Sequence, residues 1–243
     1  MKPSVLAGWY AFTGPLEGAG VPHMYLDNAQ PRGLVTIGWG NLLPLSKALS
    51  LPFLRPDGSR ASQAEIAAAW HAVDARQDMK TGGGVAYGRL PGNTLRLSEG
   101  AMFKVVEGQL AANDAILAAR FPDWHDWPAD AQLALHSWAW GVGVHRAYPR
   151  MNALLLAGDF EGASHEVGMK SGAAPCPQCD MPGRPGGGPL HSQLGCPRQG
   201  TIRHRNAHNR TLLQNAAVVV ADGLDRDTLY WPRTLKAEQG RVA

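Results

Sequence analysis

Long apolar runs are missing from this 243-residue chain. Nothing approaches the ~20 residues a membrane-crossing helix needs, and AAVVVA at 216–221 is only a fragment of one. The first residues, MKPSVLAGWYAFTG, hold a single lysine and are interrupted by Trp9, Tyr10 and Gly14-Pro15, so no secretory leader is expected. The expectation is a chain made soluble in a cytoplasm, which something else must deliver if its target lies beyond the inner membrane. Charge of one sign is also scarce: 23 Lys and Arg stand against 20 Asp and Glu, and no dense basic run occurs, which argues against nucleic acid as a partner. The small surplus lies after residue 197, where eight basic side chains meet four acidic ones. There are three cysteines, too few for a disulfide framework, and no H-E-x-x-H, so the usual helical zinc-peptidase site is absent. No internal repeat is visible, which excludes a solenoid.

What is there suffices for a core. Hydrophobic residues make up 44% of the chain, and 29 glycines and 18 prolines gather in a few connecting stretches. One monomeric domain with two lobes is the expectation. Residues 3–13 read as an apolar helix that Gly14-Pro15 should disturb. Tyr25 and residues 34–39 have strand character around a turn-forming stretch at 28–33, giving two short strands. Ser62 and Glu65 have capping-box spacing before a helix whose apolar face is Ile66, Ala69, Trp70 and Val73. Residues 81–93 read as a mobile glycine-rich connection. Helices are then expected from Ser98, over 129–140 with stops at Gly141 and Gly143, at 150–157 and 160–169, and over 201–219, the last with its arginines facing out. The fold class is therefore α+β: mostly helical, with a small sheet near the N-terminus.

Hydrolysis of a glycosidic bond needs one carboxyl to protonate the leaving oxygen and another to direct the attack on the anomeric carbon. Glu17 ends the first helical stretch and Asp27 ends the first strand, so the two arise from different elements and can straddle a cleft. Taken alone, either is as well read as a solvated surface charge. Thr36 lies in an apolar strand beside Gly38 and Gly40. If the strands pair, it returns toward Asp27 with a hydroxyl able to orient water; otherwise it is a β-branched strand filler.

Glu17-Gly18, Tyr25-Leu26-Asp27 and Thr36-Ile37-Gly38-Trp39-Gly40 together resemble the phage-type lysozyme signature, a glutamate followed by Y-x-D and T-x-G-x-G. The resemblance implies a lysozyme-like fold whose small sheet forms one side of a cleft. It makes Glu17 the general acid, Asp27 the second carboxylate and Thr36 the residue that helps place water. It further implies inversion, with the carboxyls roughly 6.5–9.5 Å apart. WAWGVG at 138–143 and IRHRNAHNR at 202–210 extend it faintly. Asn41 stands where many members have histidine, and Gly141 where asparagine is common. The form of the motif looks most like lysozyme-like domains that bacteria inject into competitors by contact-dependent (type VI) secretion, with a phage endolysin as the other reading. The implied partner is the glycan strand of bacterial peptidoglycan, met in the periplasm or wall of a target cell. A secretion apparatus and a cognate immunity protein are implied beside it.

An acid must hold its proton near neutrality, which apolar surroundings favour, and Trp9, Tyr10, Phe12 and Trp39 are candidates for that wall. Trp39, Asn41 and Arg205 are the candidates to touch substrate, although a solvated helix face is an equal reading for Arg203, Arg205 and Arg210. Trp70, Trp138 and Trp140 read as core, while Trp124 and Trp127 lie in a connection where one can line a cleft.

The segment 171–200, rich in glycine and proline, carries Cys176, Cys179, His191 and Cys196. Four such ligands suit a closed structural zinc site, with a disulfide or free thiols as the other readings. No cofactor is expected for catalysis. The rival functions are a wall amidase or peptidase, a non-catalytic wall-binding domain, and a hydrolase of chitin.

Overall fold

The computed structural model describes residues 1–27, 31–146, 148–168 and 200–235, without the side chains of residues 81–82 and 200–203. The chain is mostly helical with a three-stranded sheet near its N-terminus, and it divides into two compact units.

The unit of residues 17–109 holds the sheet. Strands β1 (Val21–Leu26), β2 (Val35–Gly38) and β3 (Asn41–Leu42) are antiparallel in that order. Tyr25 pairs with Thr36 and Leu26 with Val35, while Ile37 pairs with Asn41. Because side chains alternate across a strand, Met24, Leu26, Val35 and Ile37 share the face that closes on the core, and Tyr25 and Thr36 share the other. Asp27 and Leu34 extend that second face, since Asp27 N donates to Leu34 O at 3.0 Å.

Helices α2 (Leu45–Ser50), α3 (Gln63–Asp74) and α4 (Gly83–Tyr87) follow. The capping box is present: the Ser62 side chain accepts from Glu65 N, and the Glu65 side chain accepts from Ser62 N. Ile66, Ala69 and Val73 are buried as the periodicity predicts, but Trp70 is only half-buried. Where the sequence predicts a mobile connection at 81–93, the structure has α4. Helix α4 lies close on β1 because Gly84, and Gly88 just past its end, carry no side chain: an added Cβ would meet Val21 at 2.6 Å or the His23 ring at 3.0 Å. Tyr87 and Asn93 complete the core, the Asn93 amide donating to the Met24 and Tyr87 carbonyls at 2.8 Å each.

The other unit comprises residues 1–16 and the chain from Leu110 on. Helix α1 (Pro3–Glu17) does not stop at Gly14-Pro15. Val5, Trp9, Phe12, Thr13 and Leu16 are buried at helical spacing, and this packing outweighs one lost hydrogen bond near the helix end. Helix α5 (Glu99–Arg120) starts within the unit of residues 17–109, at Ser98, whose hydroxyl accepts from Ala101 N, and its residues from Leu110 on belong to this one. Helix α6 (Ala129–Val142) is buried along most of its length and ends at Gly143, at φ 88°. Helices α7 (Pro149–Leu156), α8 (Phe160–Glu166) and α9 (Gly200–Ala221) follow, α9 packing on both α6 and α8, and α7 on α8.

Trp124 and Trp127 are both buried, in a cluster with Phe121 and Phe160, so neither lines a cleft. Buried Asp130 accepts from Asn215 Nδ2 at 2.9 Å, Tyr230 N at 2.8 Å and Trp231 N at 3.1 Å, which ties the segment after α9 to the start of α6.

Candidate functional site

The local geometry around β1 and β2 starts from their register. With Tyr25 opposite Thr36, Asp27 falls opposite Leu34, and both partners of this pair are bound twice. Asp27 Oδ1 accepts from Leu34 N at 2.7 Å, and Leu34 O accepts from Asp27 N. The Thr36 hydroxyl donates to the same Leu34 carbonyl at 2.8 Å. The backbone of one residue, Leu34, therefore fixes both side chains, its N–H the carboxylate of Asp27 and its carbonyl the hydroxyl of Thr36. Thr36 is only 2% exposed, and with its proton committed to Leu34 it can meet a further group only as an acceptor.

The turn from β2 to β3 shapes the next part. Gly38 and Gly40 sit at φ 63° and 84°, in the left-handed region that side chains disfavour. The turn carries Gly40 to Tyr25, whose hydroxyl is hydrogen-bonded with the Gly40 backbone. Burial foremost, then the negative charges of Glu17 and Asp27, push the Tyr25 phenol up to about 12, against the Gly40 hydrogen bond that pulls it down. Tyr25 therefore keeps its proton at any ordinary pH. Its hydroxyl lies in the field of both carboxylates, so Glu17, at the last position of α1, and Asp27, just past β1, belong to one neighbourhood. Both are half-buried. Tyr25 has no role in the sequence reading beyond its place in Y-x-D, yet the strand period that puts residues 25 and 27 on one face is a signal for it.

Trp39 stacks on Phe103 with ring centroids 5.5 Å apart and planes 9° from parallel, and its indole lies against Gly20. Asn41 is 3% exposed, and neither amide atom has a hydrogen-bond partner among the described residues. Trp9 packs on Tyr10 and Trp140, and Phe12 on Trp231 and His208.

No family model matches the chain, and no curated protein matches it either.

Arg205 belongs to the other unit and does not face out as its helix pattern predicts. It is 3% exposed and donates from Nη1 to the Ser137 carbonyl at 2.9 Å, so one of its roles is to join α9 to α6. Arg210 is exposed and reaches Ser164 O at 3.4 Å. Cys176, Cys179, His191 and Cys196 lie outside the described residues. Among the described residues, no three His, Cys, Asp or Glu side chains come together as a metal site, and no helix is long and apolar enough to cross a membrane.

Proposed function

We propose that the chain hydrolyses the β-1,4 bond from N-acetylmuramic acid to N-acetylglucosamine in bacterial peptidoglycan, through a lysozyme-like site. The observation that carries this reading is that two carboxylates from different elements, Glu17 and Asp27, act on one partly buried phenol, Tyr25. In the proposed reaction the Glu17 carboxyl gives its proton to the glycosidic oxygen as the bond to the anomeric carbon breaks. Asp27 draws a proton from water, whose oxygen forms the new bond to that carbon from the opposite face, with inversion. Thr36 accepts a hydrogen bond from the same water and turns its lone pair toward the carbon. A proton passes back from Asp27 to Glu17 through solvent before the next turnover.

The target lies outside the cytoplasmic membrane. Delivery by a secretion apparatus, with an immunity protein guarding the producing cell, fits the resemblance best; release as an endolysin is the second route.

Mass analysis of fragments from purified peptidoglycan tests the reaction. Strands ending in a reducing N-acetylmuramic acid are expected, and Glu17→Gln should lower their release by ~10³-fold while leaving the fold intact, the scale of a lost general acid. Wild-type release from that variant removes Glu17 from the mechanism. Peptide cleavage products mark an amidase or peptidase instead, and binding without turnover marks a wall-binding domain.

A further inference from the structure

A groove of about 420 Å³ opens where β2 and β3 meet α3, lined by Arg32, Leu34, Leu42, Pro44, Trp70 and Asp74 among others. It is joined to the candidate site through Leu34. The Leu34 backbone holds Asp27 and Thr36, while its side chain, 45% exposed, lines the groove. Leu42, which pairs across from Thr36, is 49% exposed beside it. Two leucines of a small sheet left open in this way, next to a half-buried tryptophan, make an apolar concavity that needs an occupant.

The polar groups define what that occupant is. Trp70 Nε1 donates to the Leu43 carbonyl at 2.8 Å, so the indole is fixed in orientation and offers the groove carbon surface alone. At the rim Arg32 Nη2 meets Asp74 Oδ2 at 2.6 Å, which sets a planar donor and an acceptor side by side. An aromatic surface beside a paired donor and acceptor matches a pyranose ring, whose C–H face is apolar and whose edge carries hydroxyls. The two leucines suit the methyl of an N-acetyl group. We infer that this groove is a subsite for one N-acetylated sugar of the glycan strand, flanking the Asp27 side of the catalytic pair. The inference rests on the proposed function for the identity of the polymer. It goes further in assigning Trp70, Arg32 and Asp74 as substrate-binding residues outside the motif that carries Glu17, Asp27 and Thr36.

The test has two arms on the full chain. In the first, N-acetylglucosamine oligomers of two to six units are titrated while tryptophan fluorescence is followed. The Trp70→Ala and Asp74→Asn variants should each weaken binding of the longer oligomers about tenfold and leave the shortest unchanged. In the second, cleavage of long glycan strands should show KM raised by a similar factor with kcat retained.

Asp74→Asn, a change at the rim, keeps the inference open to refutation if Trp70→Ala fails to fold. Wild-type oligomer affinity in Asp74→Asn and in a folded Trp70→Ala overturns the subsite even if peptidoglycan is cleaved. Loss of oligomer binding in those variants, with no cleavage by the wild-type protein, upholds the subsite and overturns the proposed hydrolase alone.

Discussion

Tyr25 is the residue on which the site turns. Its phenol is partly buried and held by the Gly40 backbone; burial first, and the two carboxylates after it, keep it protonated, so it can serve those carboxylates only as a hydrogen-bond donor. Removing that hydroxyl leaves the ring, and with it the packing on the sheet. Tyr25→Phe should therefore fold normally and lower the rate of glycan cleavage roughly tenfold, the scale of one hydrogen bond to a charged group. Unchanged steady-state rates in the variant, with an unchanged denaturation midpoint, defeat the role. Much of the candidate site was legible in the sequence because it is local: Glu17, Asp27 and Thr36 fall within twenty residues, and pairing of the two strands relates the last two. Residues whose role comes from distant partners were not legible. Arg205 looked like a member of a solvated face, but its partner is the Ser137 carbonyl, 68 positions away. Trp70 looked like core, yet it is left half-buried beside a groove that only the fold creates.

Elements show the same division. Helix α3 was readable from its capping box and apolar spacing, both of which are short-range properties. Strand β3 is two residues long and was missed, since no periodicity can register in so short a piece; the positive φ angles of Gly38 and Gly40 are what create it. Helix α4 was missed because its glycines signal flexibility in isolation, whereas here they let it approach β1 closely. The turn itself can be tested. Gly38→Ala forces a side chain into the left-handed region and brings its Cβ to 3.1 Å from Asn41 Oδ1. A loss of about 1–2 kcal/mol in unfolding free energy is expected, together with loosening of Tyr25, which the turn meets through Gly40. A denaturation curve superposing on wild type rejects this account of the turn. For residues 171–200 the prediction concerns composition alone: about one zinc per chain should accompany protein purified without added metal, and Cys176→Ser should remove it. Metal-free protein with three titratable thiols rejects the zinc reading.

At the scale of the whole molecule, acid is the condition to which the fold should be most sensitive. Burial lowers the pKa of His23, His136 and His208 below the ordinary 6.5; Gly84 O and Asp114 respectively oppose this at the first two, and His204 adds to it at the third. Each of the three therefore takes up its proton at a lower pH when folded than when unfolded, where it does so near pH 6.5. Stability from these groups is fully present above pH 6.5 and is lost as pH falls from there toward their folded values. Asp130, raised by burial against its hydrogen bonds, binds a proton sooner folded than unfolded and offsets part of that loss. Asp114 has the reverse sign: burial alone would raise it, but hydrogen bonds from His136, the Met1 amino group and Trp124 hold it below the carboxylate range, so its contribution fades only below about pH 3.8. Between pH 6.5 and 3.8 the histidines therefore dominate. Unfolding midpoints measured from pH 8 to pH 5 should stay level to about 6.5 and then fall, and His136→Gln should reduce the slope by one proton whatever it does to stability at pH 8. A slope that the substitution does not change removes His136 from the account. The same curve bears on the proposed hydrolysis, because any decline in glycan cleavage on the acid side has to be compared with the folded fraction before it is assigned to either carboxylate.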